Sequence, residues 1–300
     1  MPRKSVDLRG SCWNKLSKLF TYPLTSHLSP LTSNLSPFTS HLNMLYNLIG
    51  DIHGRTTWQQ LVREDAVNIF LGDYFDPYDS DEDKAGEEEL ANLQAIIQFK
   101  LQHPETILLL GNHEYHYLSD ERYSRYNDSL AERFAECIRQ HWHLFQAAYA
   151  IGKRILVSHA GVTQPWCCLA GIEEGLSTHD LMHAINNRMN DAATRSFFGL
   201  GSFEPWDRYG LSPTASPLWV RPMSLMQHGR LTNDEGKEIL QVVGHTQSHE
   251  VILTPPLIYV DCLGSTCQSL LVDYSEDGEY CFDVYLPQGE GKSVGSDGNN

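Results

Sequence analysis

The sequence has no CxxC pair, no apolar run long enough to cross a membrane, and few basic residues. Its seven cysteines, at positions 12, 137, 167, 168, 262, 267 and 281, are odd in number and scattered. That argues against a disulfide scaffold and for a reducing, cytoplasmic setting. Without a long apolar span, a membrane partner is not expected. Lys and Arg number 22 against 38 Asp and Glu, a net charge of −16. Such a surface repels nucleic-acid backbones, so nucleic acid is not expected as a partner either. Any phosphate the protein handles must be held locally. The adjacent Cys167 and Cys168 lack an arginine at the distance a cysteine phosphatase needs, and "GKS" at 291–293 lacks the leading glycine of a phosphate loop. What is present is 41% apolar content over 300 residues, enough to bury one large core.

The first 43 residues differ from the rest. Arg3, Lys4, Arg9, Lys15 and Lys18 stand against Asp7 alone, so the segment is +4 and the remainder −20. A seven-residue repeat follows, "LTSHLSP", "LTSNLSP", "FTSHLNM". Its prolines exclude a coiled coil, and its hydroxyl-rich composition cannot supply a core. We expect residues 1–43 to be a disordered leader, either a transit peptide or an upstream extension of a working protein that starts at Met44. Residues 288–300 are expected to form a loose tail.

From Leu45 onward, apolar strands alternate with amphipathic helices. "LYNLIGD", "AVNIFLGD", "TILLLGNH" and "RILVSHAG" are short apolar runs that break at glycine or a small polar residue, as buried strands do where they open into loops. "TTWQQLVRE", "EEELANLQAIIQFKLQ" and "DSLAERFAECIRQHW" carry helical spacing. Later strands are expected at "ILQVVGH", "VILTP", "LIYVDCL", "SLLVDYS" and "CFDVYLP". The fold class is therefore α/β, with two sheets packed between helices.

The polar residues cluster at strand ends: Asp51 and His53 in "GDIHG", Asp73 and Asp76 in "GDYFD", Asn112, His113 and Glu114 in "GNHE", His159 in "SHAG", His245 in "VGHT". C-terminal strand ends of an α/β sheet gather at one edge, so these residues converge. An inventory of Asp, Asn and His without thiolate suits Mn, Fe or Zn, in a number that suits two ions. Any one motif is equally well explained as a helix cap or a turn. Five in order, all at strand ends, are not.

This ordered set resembles the calcineurin-like metallophosphoesterases, and among them the bacterial and phage-type Ser/Thr protein phosphatases and the dinucleoside-tetraphosphatases, over roughly residues 45–275. The resemblance implies a four-layer α/β/β/α sandwich of two mixed sheets. It assigns Asp51 and His53 to a first metal, Asp73 as a bridge, and Asn112, His159 and His245 to a second metal, with Mn the first expectation. His113 would protonate the leaving group with Asp76 as its carboxylate partner. Two departures stand out: the arginines that the resembling phosphatases carry after the second Asp and before the GNHE glycine are here Pro77 and Leu110. Arg221 in "LWVRP" resembles the arginine between the last two histidine motifs and is the remaining phosphate contact.

Other features have plainer readings. "DSDEDKAGEEE" at 79–89 reads as a solvated loop leading into a helix, and Arg122 and Arg125 as residues on a helix surface. His249 lies at the wrong spacing for a ligand. Residues 162–241 exceed what one crossover requires, and we expect a cap there that shapes the substrate pocket. Three functions remain: a phosphomonoesterase acting on a phosphorylated substrate, phosphoprotein included; a hydrolase of nucleotide or dinucleoside polyphosphates; and a non-catalytic binding module, which normally requires lost ligands.

Overall fold

Strand β1 (Met44–Ile49) has both faces buried from Tyr46 onward or in part from Leu45, as an unbroken apolar run requires. The computed structural model describes residues 43–78, 85–119 and 121–287. The leader expected up to residue 43 (save Asn43), residues 79–84 of the acidic run and the tail from 288 lie outside them. The further strands are β2 (Val67–Phe70), β3 (Ile107–Leu109), β4 (Phe145–Gln146), β5 (Ala148–Ile151), β6 (Ile155–Ser158), β7 (Leu240–Val243), β8 (Ile252–Thr254), β9 (Leu257–Tyr259), β10 (Ser269–Tyr274) and β11 (Tyr280–Tyr285). The helices are α1 (Ala85–Gln102), α2 (Asn112–Leu118), α3 (Ala131–Gln140), α4 (Gln164–Leu169), α5 (Thr178–Asn190) and α6 (Pro222–His228).

Two mixed sheets result, ordered β11-β10-β1-β2-β3-β4 and β5-β6-β7-β9-β8. In the first, β1 to β4 run parallel, with Ile49 opposite Phe70 and Phe70 opposite Leu108. In the second, β6, β7 and β9 are parallel, with Ser158 opposite Val243 and Val243 opposite Tyr259. The registers therefore level the strand ends, and the polar residues that follow them emerge along common edges. Buried asparagine fixes part of this register: Asn47 of β1 donates to Asn68 Oδ1 (2.8 Å) and to the Leu61 carbonyl (2.8 Å), and accepts from Ser269 Oγ (2.6 Å). A buried amide is tolerated because its hydrogen bonds are met.

Leu48, Ile69 and Leu109 from one sheet meet Val157, Val242 and Ile258 from the other, forming the layer between them. Each fully buried aliphatic side chain contributes about 1.5–3 kcal/mol. The opposite face of the first sheet, through Ile49, Phe70 and Leu108, packs with Leu93 and Ile96 of α1 and Phe134 and Ile138 of α3. The second sheet is covered by α5, whose Leu181, Met182 and Ile185 cluster with Ala148 and Leu156, and by α6, whose Leu225 meets Val243 and Leu257. This is the α/β/β/α sandwich.

Three local expectations change. "TTWQQLVRE" forms only a 3-10 turn, Thr57–Gln60. Trp58 is a plug against Phe70 and Phe99, its Nε1 donating to Asn92 (2.9 Å), and the Leu61 carbonyl is taken by Asn47 instead of a helical amide. Strands β4 and β5 were not anticipated, because "FQAAYAI" is short and rich in alanine, a weak strand former. Arg122 and Arg125 lie on the loop after α2, not on a helix. Within residues 162–241, α5 is a core layer: Asn186 Oδ1 accepts from the Ala147 and Ala148 amides (2.8 and 3.0 Å) at the sheet edge.

Candidate metal centre

The loops after β1, β2 and β3 meet those after β6 and β7. Asn112 Oδ1 lies 2.9 Å from His159 Nε2 and 2.8 Å from His245 Nδ1, joining residues from both sheets. Asp73 Oδ2 lies 3.6 Å from His53 Nε2, 3.4 Å from His159 Nε2 and 4.0 Å from His113 Nε2. Both oxygens of Asp51 accept from the His245 amide (3.1 and 2.9 Å). All six residues expected as metal ligands are thus brought together. Glycine permits the approach: a Cβ on Gly111 would lie 2.0 Å from Asp73 Oδ1, and one on Gly244 would lie 2.2 Å from Asp51 Oδ1.

The tautomers follow from the backbone. His53 Nδ1 and His159 Nδ1 each face a carbonyl oxygen, of Phe75 and Leu71, at 2.8 Å. A carbonyl can only accept, so Nδ1 carries the hydrogen, and in the neutral ring Nε2 presents a lone pair to Asp73. Lone pairs facing a carboxylate need a cation or a proton between them. Burial pushes the His53 imidazole down to about 4. For His159, burial also pushes down but the Asp73 carboxylate outweighs it and the net shift is upward. His245 is held well below its ordinary value by burial, aided by Arg221 and His159, and its buried Nε2 has no hydrogen-bond partner. Burial, with Asp261 and Asp73 close by, holds the Asp51 carboxyl well above the usual range. Burial and Asp73 lift Asp261 to about 6. Buried carboxylates crowded with neutral imidazoles and an amide oxygen form the donor set that hard or borderline divalent cations take. The residues fit a metal centre. His53, Asp73 and His113, and Asp73, His159 and His245, each place ligand atoms within 4.8 Å of one another.

Beside this centre, His113 Nδ1 lies 2.7 Å from Asp76 Oδ2, and Tyr117 donates its hydroxyl to Asp76 Oδ1 (2.5 Å). His116 Nε2 sits 2.8 Å from the same Oδ2 but out of line for a hydrogen bond. The Asp76 amide donates to Glu89 Oε2 (2.7 Å). Burial pushes the His113 imidazole down, but the Asp73 and Asp76 carboxylates raise it to about 9. Arg221 precedes α6 and donates from Nε to the Tyr209 carbonyl (3.2 Å) and from Nη1 to Thr246 Oγ1 (3.4 Å). It lies within the field of Tyr78, Asp73, Asp51 and Asp261, which partly offset the lowering by burial. Leu110 is a core residue 1% exposed, and Pro77 packs beside Gly54.

Several contributors were given no role by the sequence reading. Glu114 accepts from the amides of Asp73 (2.9 Å), Gly111 (2.9 Å) and Tyr74 (2.6 Å), tying the loops after β2 and β3 into one unit. Glu89 is buried rather than solvated, because it serves the Asp76 amide. Asp261 follows β9 as the other aspartates follow their strands, a signal that "LIYVDCL" carried. Tyr117 and His116 carried none. His249 is exposed, in keeping with its omission.

Comparison with known proteins places the chain in a family. No curated protein matches the sequence. Among solved structures, a protein serine/threonine phosphatase from Saccharomyces cerevisiae, with similarity to human phosphatase PP5, shares 15% identity at a TM-score of 0.48, over 83% of this chain and 82% of that one. The family model for calcineurin-like phosphoesterase matches residues 44–253, from the first residue of β1 past the last histidine motif. The chain therefore belongs to the calcineurin-like phosphoesterases, hydrolases that act on phosphoric ester bonds.

Proposed function

We propose that this chain is a phosphomonoesterase that uses two divalent ions, manganese foremost, held by Asp51, His53, Asp73, Asn112, His159 and His245. The observation that carries this reading is the flanking of Asp73 Oδ2 by the Nε2 atoms of His53 and His159, at 3.6 and 3.4 Å. Bound there, the ions supply positive charge that acidifies the attacking water and offsets charge building on the phosphoryl oxygens. The chain's own residues do the rest. His113, held by Asp76 at Nδ1, keeps a proton at Nε2 for the departing alkoxide. Arg221, fixed by Tyr209 and Thr246, orients the phosphoryl group. The six described cysteines are unpaired, which supports a reducing, cytoplasmic setting.

The test is metal analysis of the purified full chain, followed by assay against p-nitrophenyl phosphate, a phosphoserine peptide and a dinucleoside tetraphosphate. Close to two equivalents of bound metal, with phosphate released from the monoesters, is the expected result. Release from the tetraphosphate alone would replace this reading with polyphosphate hydrolysis. Bound metal without turnover of any substrate would leave a binding module.

A further inference from the structure

Tyr78 follows Pro77 directly, next to the place where relatives keep a phosphate-binding arginine. Its ring stands edge-on to His53, 4.9 Å between centroids, and 6.4 Å from the ring of His113. It therefore spans one expected metal ligand and the expected proton donor. The residue is 48% exposed, and its hydroxyl has no hydrogen-bond partner among the described residues. Arg125 lies over the ring, its guanidinium carbon 5.3 Å from the centroid, and also donates to the Tyr78 carbonyl. One arginine thus holds both the ring and the backbone of this residue.

The backbone adds an independent observation. Among the described residues, five non-glycine positions have left-handed φ: His53 (44°), Asp73 (50°), Asp76 (61°), Arg125 (71°) and His245 (63°). The first three and the last belong to the centre. Arg125 is the remaining one, and among the described residues its side chain is held by Tyr78. Strained backbone of this kind persists where function demands it.

We propose that the Tyr78 hydroxyl is a substrate contact, donating to a phosphoryl oxygen opposite Arg221 in place of the arginines this chain lacks, and that Arg125 is a positioning residue that holds the Tyr78 ring over His53 and His113. Burial raises the Tyr78 hydroxyl to about 12, with the Asp73 and Asp51 carboxylates adding to the rise and Arg221 opposing it, so the phenol is neutral. A neutral phenol is a hydrogen-bond donor that a phosphate dianion can use without a further charge.

This inference rests on the phosphoesterase reading, so its test includes a measurement that does not need turnover. Inorganic phosphate binding to the Mn-loaded full chain is measured by calorimetry for wild type, Tyr78→Phe, Arg125→Ala, Arg125→Lys and the Tyr78→Phe/Arg125→Ala double variant. Steady-state kinetics on p-nitrophenyl phosphate run alongside. Tyr78→Phe should weaken phosphate binding and raise KM about tenfold, the usual effect of losing a hydrogen bond to a charged group, with kcat changed far less. Arg125→Ala should match Tyr78→Phe, Arg125→Lys should recover part of the loss, and the double variant should be no worse than Tyr78→Phe. Phosphate binding by Tyr78→Phe equal to wild type overturns the proposal even if the enzyme is fully active. Additive losses in the double variant overturn the positioning role of Arg125, since it would then meet phosphate itself. If wild type binds phosphate but hydrolyses nothing, the function fails while Tyr78 is still tested by binding. A wild type that binds no phosphate overturns both.

Discussion

Asp76 sits beneath His113 with Oδ2 2.7 Å from Nδ1, while its other oxygen takes the Tyr117 hydroxyl at 2.5 Å. Both lone-pair-bearing oxygens of the carboxylate are engaged from α2, so His113 is held in one orientation with Nε2 toward Asp73, 4.0 Å away. An imidazole so fixed, as the proposed proton donor, would need no reorientation as the leaving oxygen departs.

Replacing that donor should separate substrates by leaving group. His113→Asn is expected to slow hydrolysis of alkyl phosphates about 100-fold or more and of p-nitrophenyl phosphate much less, because the nitrophenolate leaves without a proton. Bound metal should stay near wild type. Parallel kcat/KM series on the two substrate types check this, and equal losses would remove the acid role.

The bridging position is tested through metal content. Asp73→Asn should lower bound metal and abolish turnover, whereas Glu276→Gln, an exposed carboxylate beyond β10, should change neither. Mass-spectrometric metal counts after gel filtration decide; a fully loaded Asp73→Asn protein would exclude the bridge.

For Arg221 the expected signature is kinetic. Arg221→Ala should lower kcat/KM about tenfold, mainly through KM, since its guanidinium is a fixed cation beside the centre. A variant indistinguishable from wild type in steady-state kinetics would remove Arg221 from substrate binding.

Glu89 offers a pH effect on stability. Burial, helped by the Asp76 carboxylate and opposed by the Asp76 amide, raises its carboxyl from 4.5 to about 7. The folded state therefore keeps a proton that the unfolded chain releases above 4.5, so the stability present at lower pH falls as pH rises from 4.5 through about 7. Glu89→Gln should flatten that part of the profile while keeping an oxygen for the Asp76 amide. Thermal melts across the window read it, and a slope matching wild type would show that Glu89 does not titrate there.

The sequence carried the strands around the site because each is a short apolar run that breaks at a glycine next to its polar residue. "LYNLIGD" and "TILLLGNH" announce both an element and its functional end. What it hid were residues whose role depends on a partner far along the chain. Glu114 looks like any helical glutamate until Asp73 and Tyr74, about forty positions away, bring their amides to it. Glu89 reads as one of an acidic run, and only the Asp76 amide distinguishes it. The turn at Thr57–Gln60 failed for a related reason: a helical apolar pattern was overruled when Asn47 took the Leu61 carbonyl. Asp261 was legible by the same strand-end rule as the others, since it follows β9 as Asp51 follows β1.

The left-handed backbones at His53, Asp73, Asp76 and His245 set the chemistry of this protein against its endurance. A non-glycine residue held there costs about 1–2 kcal/mol, less for Asp and His than for most, against a whole-domain stability of about 5–15 kcal/mol. Glycine at any of the four would relax the chain and remove a working group in the same stroke. A library of variants sorted only for survival on heating should therefore accumulate changes at these positions and fill with proteins that are sturdier and inert, whereas one sorted for phosphate release should keep all four and gain its heat resistance elsewhere, in the layer between the sheets.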